Sequence, residues 1–390
     1  MLKSIKIPIA ASVTVSLNNL AREKAKTEQV HNFAAGDPAI ACHPSIMMRA
    51  KETLDLSYHM YPPVKGLPEL RKLLVDWYNE DYRAHFEIED SLVTCGGKMA
   101  LSLSLQALLR PCDEVLILSP YWVSYPDIVR LFKGVPKIVK TTAEKNWKVT
   151  VEDLKGALTV RTKVLIINSA NNPTGALYTK EELKSILQFA KENQIVVISD
   201  EVYSEIVFDE HRFVSCSSFE EFKDHVIIIQ SCSKNFGMTG WRVGFALAPK
   251  EFISVLAVLQ SQSLTSAPLI CQKAAIGALE KRKEVSGLIQ EEIRKRRDLF
   301  LLEFNKRFGV TLQAPISSMY LFVSLQDLGI DSLDSVWFCQ ELLKKGNVSC
   351  VPGMAFGQEG YVRFAFSESE KNIKAGIEAL QKACKIIRTS

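Results

Sequence analysis

Lys234 follows Ser231-Cys232-Ser233 and precedes Gly237, Gly240, Trp241 and Arg242. A lysine beside two hydroxyls, with an arginine eight positions on, can bind a phosphate and form an imine. The amine must first lose its proton, and burial or a neighbouring cation lowers its pKa enough. The same residues would also suit a surface loop. A second segment, Ile198-Ser199-Asp200-Glu201-Val202-Tyr203, places an aspartate at the end of an apolar run. Burying an unpaired carboxylate is costly, so Asp200 needs a cationic partner. A pyridinium N–H would serve, and the carboxylate would keep that ring nitrogen protonated. An apolar strand ending in Asp-Glu also fits the Walker B element of nucleotide hydrolases, but its companion G-x-x-x-x-G-K-[ST] is absent.

Two further segments have a structural and a functional reading. Asn171-Asn172-Pro173-Thr174-Gly175 is a turn by composition alone, and it could equally aim an Asn amide at a phenolic oxygen or a carboxylate. Thr94-Cys95-Gly96-Gly97-Lys98-Met99 runs from a strand through two glycines into a helix start. Backbone N–H groups at such a start cradle a phosphate, although a Gly pair alone is a weak signal.

Each segment must be held by a regular element. Short apolar runs at 92–95, 114–118, 164–168, 195–199, 226–230 and 243–248 predict buried strands. Residues 99–109 and Lys180–Glu192 have helical spacing, the second capped by Thr179 with Glu182 closing a capping box. This alternation predicts an α/β domain with a mainly parallel sheet, whose carboxyl edge is where such proteins bind ligands. All four segments fall on that edge. From about residue 250 the pattern turns to long amphipathic helices, one expected to end in the charged run 291–297. A smaller α+β region follows, with strands at 320–324 and 362–366 and a terminal helix at 370–387.

The chain has 390 residues, which suits two domains. With 47% hydrophobic and 24% charged residues it has the composition of a globular protein. A net charge of +4, spread along the chain, does not call for nucleic acid. The nine cysteines include no C-x-x-C pair, which points to reduced thiols, not a disulfide framework or a metal site, and to a cytoplasmic address. Lys3 and Lys6 before the apolar stretch 7–17 raise the possibility of a signal peptide. Ser12, Thr14 and Ser16 interrupt that stretch, so the chain is expected to be soluble and unprocessed. No run is long enough to span a bilayer, and the sequon Asn347-Val348-Ser349 is expected to be silent.

In order along the chain, these segments resemble the class I/II aminotransferases of the pyridoxal-phosphate fold-type I superfamily. The resemblance extends to Phe33-Ala34-Ala35-Gly36-Asp37-Pro38, to Tyr61-Pro62-Pro63 with Gly66-Leu67-Pro68-Glu69-Leu70-Arg71, and to Pro120-Tyr121-Trp122-Val123-Ser124-Tyr125. It ends with Val351-Pro352-Gly353-Met354-Ala355-Phe356-Gly357 and Tyr361-Val362-Arg363-Phe364. It implies a large domain with a mainly parallel seven-stranded sheet, at about 43–280. A smaller α+β domain would be built from an N-terminal arm, 1–42, and residues 281–390.

By that resemblance Lys234 would carry pyridoxal 5'-phosphate and move a proton between the substrate's Cα and the cofactor. Asp200 would pair with the ring nitrogen, Asn172 and Tyr203 with the ring's phenolic oxygen, and Trp122 would stack on its face. Gly96, Gly97, Lys98, Ser231, Ser233 and Arg242 would hold the phosphate. Tyr61 would reach the phosphate of a neighbouring subunit, which implies a homodimer. Arg363 would grip the α-carboxylate in a bidentate pair and the Gly36 backbone would close over it. Met99 stands where many relatives carry Gln and Ala170 where many carry Pro, both expected to be packing variation.

Ser12-Val13-Thr14-Val15 and Gly97-Lys98 further resemble the bacterial I-gamma aspartate aminotransferase subgroup. There Lys98, helped by Ser12 or Thr14, would bind a distal carboxylate; otherwise Lys98 only adds positive potential near the phosphate. The resemblance implies aspartate and 2-oxoglutarate as substrates, with no nucleic acid or membrane partner. Aromatic, prephenate or alanine aminotransferases share most of these motifs, and a carbon–sulfur lyase could use similar groups. A non-enzymatic binding protein on the same fold would not need all of them.

Overall fold

The computed structural model describes residues 13–57 and 60–389, without the side chains of residues 13, 14 and 18. Ser12, the side chain of Thr14 and most of the stretch weighed as a signal peptide thus lie outside the described residues. Among the described residues, no helix is long and apolar enough to cross a membrane.

Twelve strands occur among the described residues. The first is β1 (His31–Asn32). The next seven are β2 (Ser91–Thr94), β3 (Glu114–Ser119), β4 (Val135–Lys140), β5 (Thr162–Ile167), β6 (Val196–Asp200), β7 (Val226–Ser231) and β8 (Gly244–Leu247). They form one sheet in the order β2-β8-β7-β6-β5-β3-β4. Only β8 runs against its neighbours, pairing antiparallel with both β2 and β7. The other strands are mutually parallel, so their carboxyl ends share one edge.

The central strands read as unbroken apolar runs because helices cover both sheet faces. All six residues of β7 are buried, and each of its three isoleucines gains about 1.5–3 kcal/mol from leaving water. β4 is different. It lies at the edge of the sheet, Val135 and Ile138 are exposed, and Pro136, Lys137 and Lys140 interrupt it. Its composition is that of a protected edge, which hides it from a search for apolar runs.

The remaining strands are β9 (Tyr320–Ser324), β10 (Val348–Ser349), β11 (Val351–Pro352) and β12 (Tyr361–Ala365). β11, β12 and β9 form a small antiparallel sheet, while β10 pairs with β1. Behind the small sheet lies a second core containing Phe300, Phe304, Val323, Val362, Phe364 and Ile377.

The helix expected to stop at 297 runs instead from Arg282 to Phe308. Its charged stretch is only partly solvated: Arg296 and Arg297 are buried, donating to the Pro38, Ser367 and Pro315 carbonyls and to Asp209, while Phe300 and Phe304 carry the helix on to Gly309 at φ 68°. Val285 belongs to the large-sheet core and Ile289, Ile293, Phe300 and Phe304 to the second. The helix Lys180–Glu192 has the predicted limits, with the Thr179 side chain accepting from the Glu182 N–H at 3.2 Å. All nine cysteines are free thiols.

Candidate active site

The carboxyl edge of the large sheet opens into a cavity of 340 Å³. Gly36, Gly97, Lys98, Trp122, Asn172, Asp200, Tyr203, Ser231, Ser233, Lys234, Arg242 and Arg363 all line it. Of the other residues singled out in the sequence, Gly96 is buried just behind Gly97, and Tyr61 projects outward at 87% exposure.

Lys234 sits on a single helical turn, Cys232–Asn235, directly after β7. The Ser231 hydroxyl caps that turn, accepting from the Ser233 N–H at 3.1 Å. The Lys234 amine donates to the Gly36 carbonyl. Burial pulls its pKa below the ordinary lysine value; Tyr320 and Asp37 oppose this, and Arg363 and Arg242 add to it. An amine depressed in this way has a larger neutral fraction, the form that attacks a carbonyl.

Asp200 ends β6 with 6% of its surface exposed. Its Oδ2 accepts from the Tyr125 hydroxyl at 2.6 Å, whereas Oδ1 is buried without a hydrogen-bond partner. Burial raises its pKa to about 6, against the opposing donors Tyr125 and the Val202 N–H. An orphaned buried acceptor is expensive. A protonated ring nitrogen brought into the cavity would relieve it. Asn168 fixes the local backbone, donating to the Asp200 carbonyl at 2.9 Å and accepting from the Asn172 N–H at 2.9 Å.

The antiparallel strand β8 explains how Arg242 arrives here. A reversed strand begins where its neighbours end, so the residue before Gly244 and its neighbours stand on the same edge. Arg242 has φ 57° and donates to the Thr239 carbonyl at 2.9 Å. Gly96 has φ 84°, a conformation that favours glycine, and a Cβ there would displace the Arg242 guanidinium, 2.5 Å away. Gly97 then opens the helix Gly97–Leu108, whose first N–H groups have no partner within the helix. Together with Ser231, Ser233 and Arg242 they make a site suited to a phosphate.

On the small sheet, Arg363 is 5% exposed and donates to Asn172 Oδ1 at 3.0 Å and to the Ala34 carbonyl at 2.8 Å. Its Nε is buried without a partner. The guanidinium lies 4.1 Å from the Tyr320 ring centre and 5.1 Å from that of Phe356. Lys98 donates to Ser124 Oγ at 3.1 Å and stands 4.8 Å over the Trp122 ring. Desolvation, and then Arg242, lower its pKa. Trp122 meets Tyr125 edge to face.

The donor set fits pyridoxal phosphate: a depressed lysine, an unsatisfied carboxylate oxygen, a phosphate cradle and an arginine with an unpartnered Nε share one cavity. Sequence reasoning gave no role to Tyr125, Asn168 or Tyr320. Tyr125 lay inside a quoted motif, and Tyr320 read only as the start of a strand. Ala170, expected to be packing variation, is more than that. Its φ of 58° is one that a proline ring forbids.

The family model described as aminotransferase class I and II matches residues 28–380. A probable aspartate/prephenate aminotransferase of Aquifex aeolicus is 36% identical over 376 residues, covering 95% of each chain. The aspartate/prephenate aminotransferase of Thermus thermophilus is 36% identical over 371 residues, covering 94% of each. The solved structure of a Thermus thermophilus aspartate aminotransferase with maleate superposes with a TM-score of 0.90 at 34% identity, covering 96% of this chain and 97% of that one. That of the aspartate aminotransferase from Thermotoga maritima gives 0.89 at 32%, with the same coverage.

Proposed function

The chain belongs to the class I and II aminotransferase family, and from that premise we propose that aspartate is its preferred amino donor and 2-oxoglutarate its acceptor. It is a pyridoxal 5'-phosphate-dependent enzyme that transfers amino groups. When bound, the cofactor supplies an electron sink that stabilises negative charge at the substrate's Cα.

The chain's own residues would do the rest. Lys234 would hold the cofactor, and its neutral amine would move the proton between the substrate's Cα and the cofactor. Asp200, fixed by Tyr125, keeps the ring nitrogen protonated. Asn172 and Tyr203 bind the ring's phenolic oxygen, and Trp122 covers a ring face. Gly96, Gly97, Lys98, Ser231, Ser233 and Arg242 hold the phosphate. Arg363, steadied by Asn172 and the Ala34 carbonyl, presents its planar edge to the α-carboxylate, under the Gly36 backbone. Donor and acceptor use the same groups in turn, so the kinetics should be ping-pong.

The observation that carries the site assignment is the meeting of Lys234, the orphaned Asp200 Oδ1 and Arg363 in one cavity. The dicarboxylate preference rests on Lys98, with Ser12 and Thr14 as helpers by resemblance. Relatives named for both aspartate and prephenate make prephenate a second acceptor to test. The deciding measurement is a half-reaction panel of aspartate, glutamate, phenylalanine, alanine and kynurenine, followed by the visible absorbance of the holoenzyme. No spectral change with any amino acid would sink the transaminase mechanism. Lys98→Ala should weaken aspartate and glutamate at least tenfold more than phenylalanine, on the order of one lost charge-assisted contact. Equal losses would leave Lys98 as a phosphate-side charge only.

The assembly we propose is a homodimer. Met47, Met48, Leu54, Leu56, Met60, Tyr61, Val255 and Val258 are all exposed. Gln260 of the helix Lys250–Ser263 donates to the Val64 carbonyl at 2.8 Å, tying the segment after Tyr61 to Val255 and Val258. Such apolar exposure favours a partner surface, across which Tyr61 would reach the other copy's phosphate. The division into an arm at 1–42, a large domain at 43–280 and a small domain at 281–390 is likewise proposed, with free thiols favouring a cytoplasmic location.

A further inference from the structure

Tyr320 stands at the start of β9, buried to 1% exposure, and lines the cavity. Its hydroxyl lies 2.8 Å from that of Tyr203. Its ring face lies under the Arg363 guanidinium, 4.1 Å from ring centre to cation. The two contacts use different parts of one side chain and reach opposite domains of the active site. The hydroxyl also packs close to the Gly36 backbone, where a Cβ would come within 2.9 Å of it.

We propose that Tyr320 is a positioning residue of this site, its hydroxyl holding the Tyr203 phenol and its ring carrying the Arg363 guanidinium. One side chain thereby links the grip on the substrate's carboxylate to the hydrogen bond on the cofactor's ring oxygen. The inference rests on the roles proposed above for Tyr203 and Arg363.

Tyr203 has one proton to donate. When that proton points to a ring oxygen, the Tyr203 oxygen is free to accept, and Tyr320 is the hydroxyl in reach. A phenol that accepts a hydrogen bond becomes a stronger donor through its own proton. The charged and titratable groups around Tyr203 are Tyr320 and Arg363 from the small sheet and Asp200 and Tyr125 from the large one. Burial, then Tyr320, holds the Tyr203 pKa well above its ordinary value, so it remains a donor across the working pH range. The guanidinium contact is of the buried cation–π kind, which fixes the plane of Arg363 without using its N–H groups.

The experiment uses the holoenzyme and three variants: Tyr203→Phe, Tyr320→Phe and Tyr320→Leu. The readouts are the pH midpoint of the visible absorbance change and the half-saturating concentrations of aspartate and of alanine, which lacks a distal carboxylate. A donor to an anionic oxygen favours the deprotonated side of the titration, so weakening it moves the midpoint up. Tyr320→Phe should raise the midpoint by about half a unit, in the direction of Tyr203→Phe, and leave both half-saturations near wild type. Tyr320→Leu should raise both half-saturations roughly tenfold, because the platform under Arg363 is gone. If Tyr203→Phe moves the midpoint and Tyr320→Phe does not, the hydroxyl link is wrong. If Tyr320→Leu leaves both half-saturations unchanged, the platform is wrong. A Tyr203→Phe variant with an unmoved midpoint would instead remove the role assigned to Tyr203, and this inference with it.

Discussion

Asp200 is held in a place where its own charge is a liability. Its folded pKa of about 6 lies above the ordinary 3.8, with burial the main cause. Proton binding therefore favours the folded state, fully below about pH 3.8, and that support is lost as pH rises through about 6. At pH 8 the cofactor-free protein carries an ionised, half-satisfied carboxylate. Asp200→Asn should make the apoprotein more stable at pH 8, by as much as about 3 kcal/mol. The gain should shrink towards zero at pH 4. Urea unfolding of the two apoproteins at both pH values checks this, and a gain independent of pH would show that Asp200 does not titrate as described. The loaded enzyme should show the opposite preference, because a cation on Oδ1 meets the carboxylate's demand.

Among the elements, β8 places the largest constraint on the site. Gly244 is paired with both Thr94 and Ser231, so it lies between the ends of two strands that each lead into the cavity. A Cβ there would come within 2.2 Å of the Gly97 amide nitrogen. Gly244→Ala must therefore push the 96–97 loop aside. It should cost about 2 kcal/mol or more in stability and lower cofactor affinity on the order of tenfold or more, by equilibrium titration of the apoprotein. Thr179→Ala offers the contrast. It removes a helix cap remote from the cavity and should cost about 1 kcal/mol while leaving cofactor affinity unchanged. Should both variants lose affinity alike, Gly244 would have no special claim on the phosphate loop.

The same elements mark what could be read without coordinates. Strands buried on both faces, such as β6 and β7, announce themselves as apolar runs, and the Thr179 cap fixes its helix start to the residue. The edge strand β4 does not, because protection from pairing requires the proline and lysines that erase the signal. The charged stretch in Arg282–Phe308 looked like an end because charge reads as a terminus, whereas Arg296 and Arg297 are buried on carbonyl and carboxylate partners that spacing alone does not reveal. Charged site residues were legible by type, since Lys234, Asp200 and Arg363 are costly to bury and need a reason. Tyr125 and Tyr320 were not, because an aromatic inside an apolar run fits a core equally well. Only geometry shows which phenols turn towards a carboxylate or another hydroxyl.

For the whole molecule, pairing would complete what one chain leaves open. Tyr61 projects away from its own cavity, and Val258 on the helix Lys250–Ser263 is 63% exposed. Val258→Asp should leave the fold intact but shift sedimentation to the monomer, and with it weaken cofactor binding through loss of the partner's Tyr61. A monomeric variant with unaltered cofactor affinity would show that each site is complete alone.

The helix Arg282–Phe308 has a mechanical consequence. Its 27 residues make a rod about 40 Å long, rooted by Val285 in one core and by Phe304 in the other. A rod clamped at both ends resists bending far more than a flexible linker does. Any swing of the small sheet over the cavity must therefore either carry this rod with it or flex it. Arg363 and Tyr320 ride on the strands packed against its far half. If Arg363 grips a carboxylate as proposed, this rod would set the stiffness with which that grip moves over the cavity.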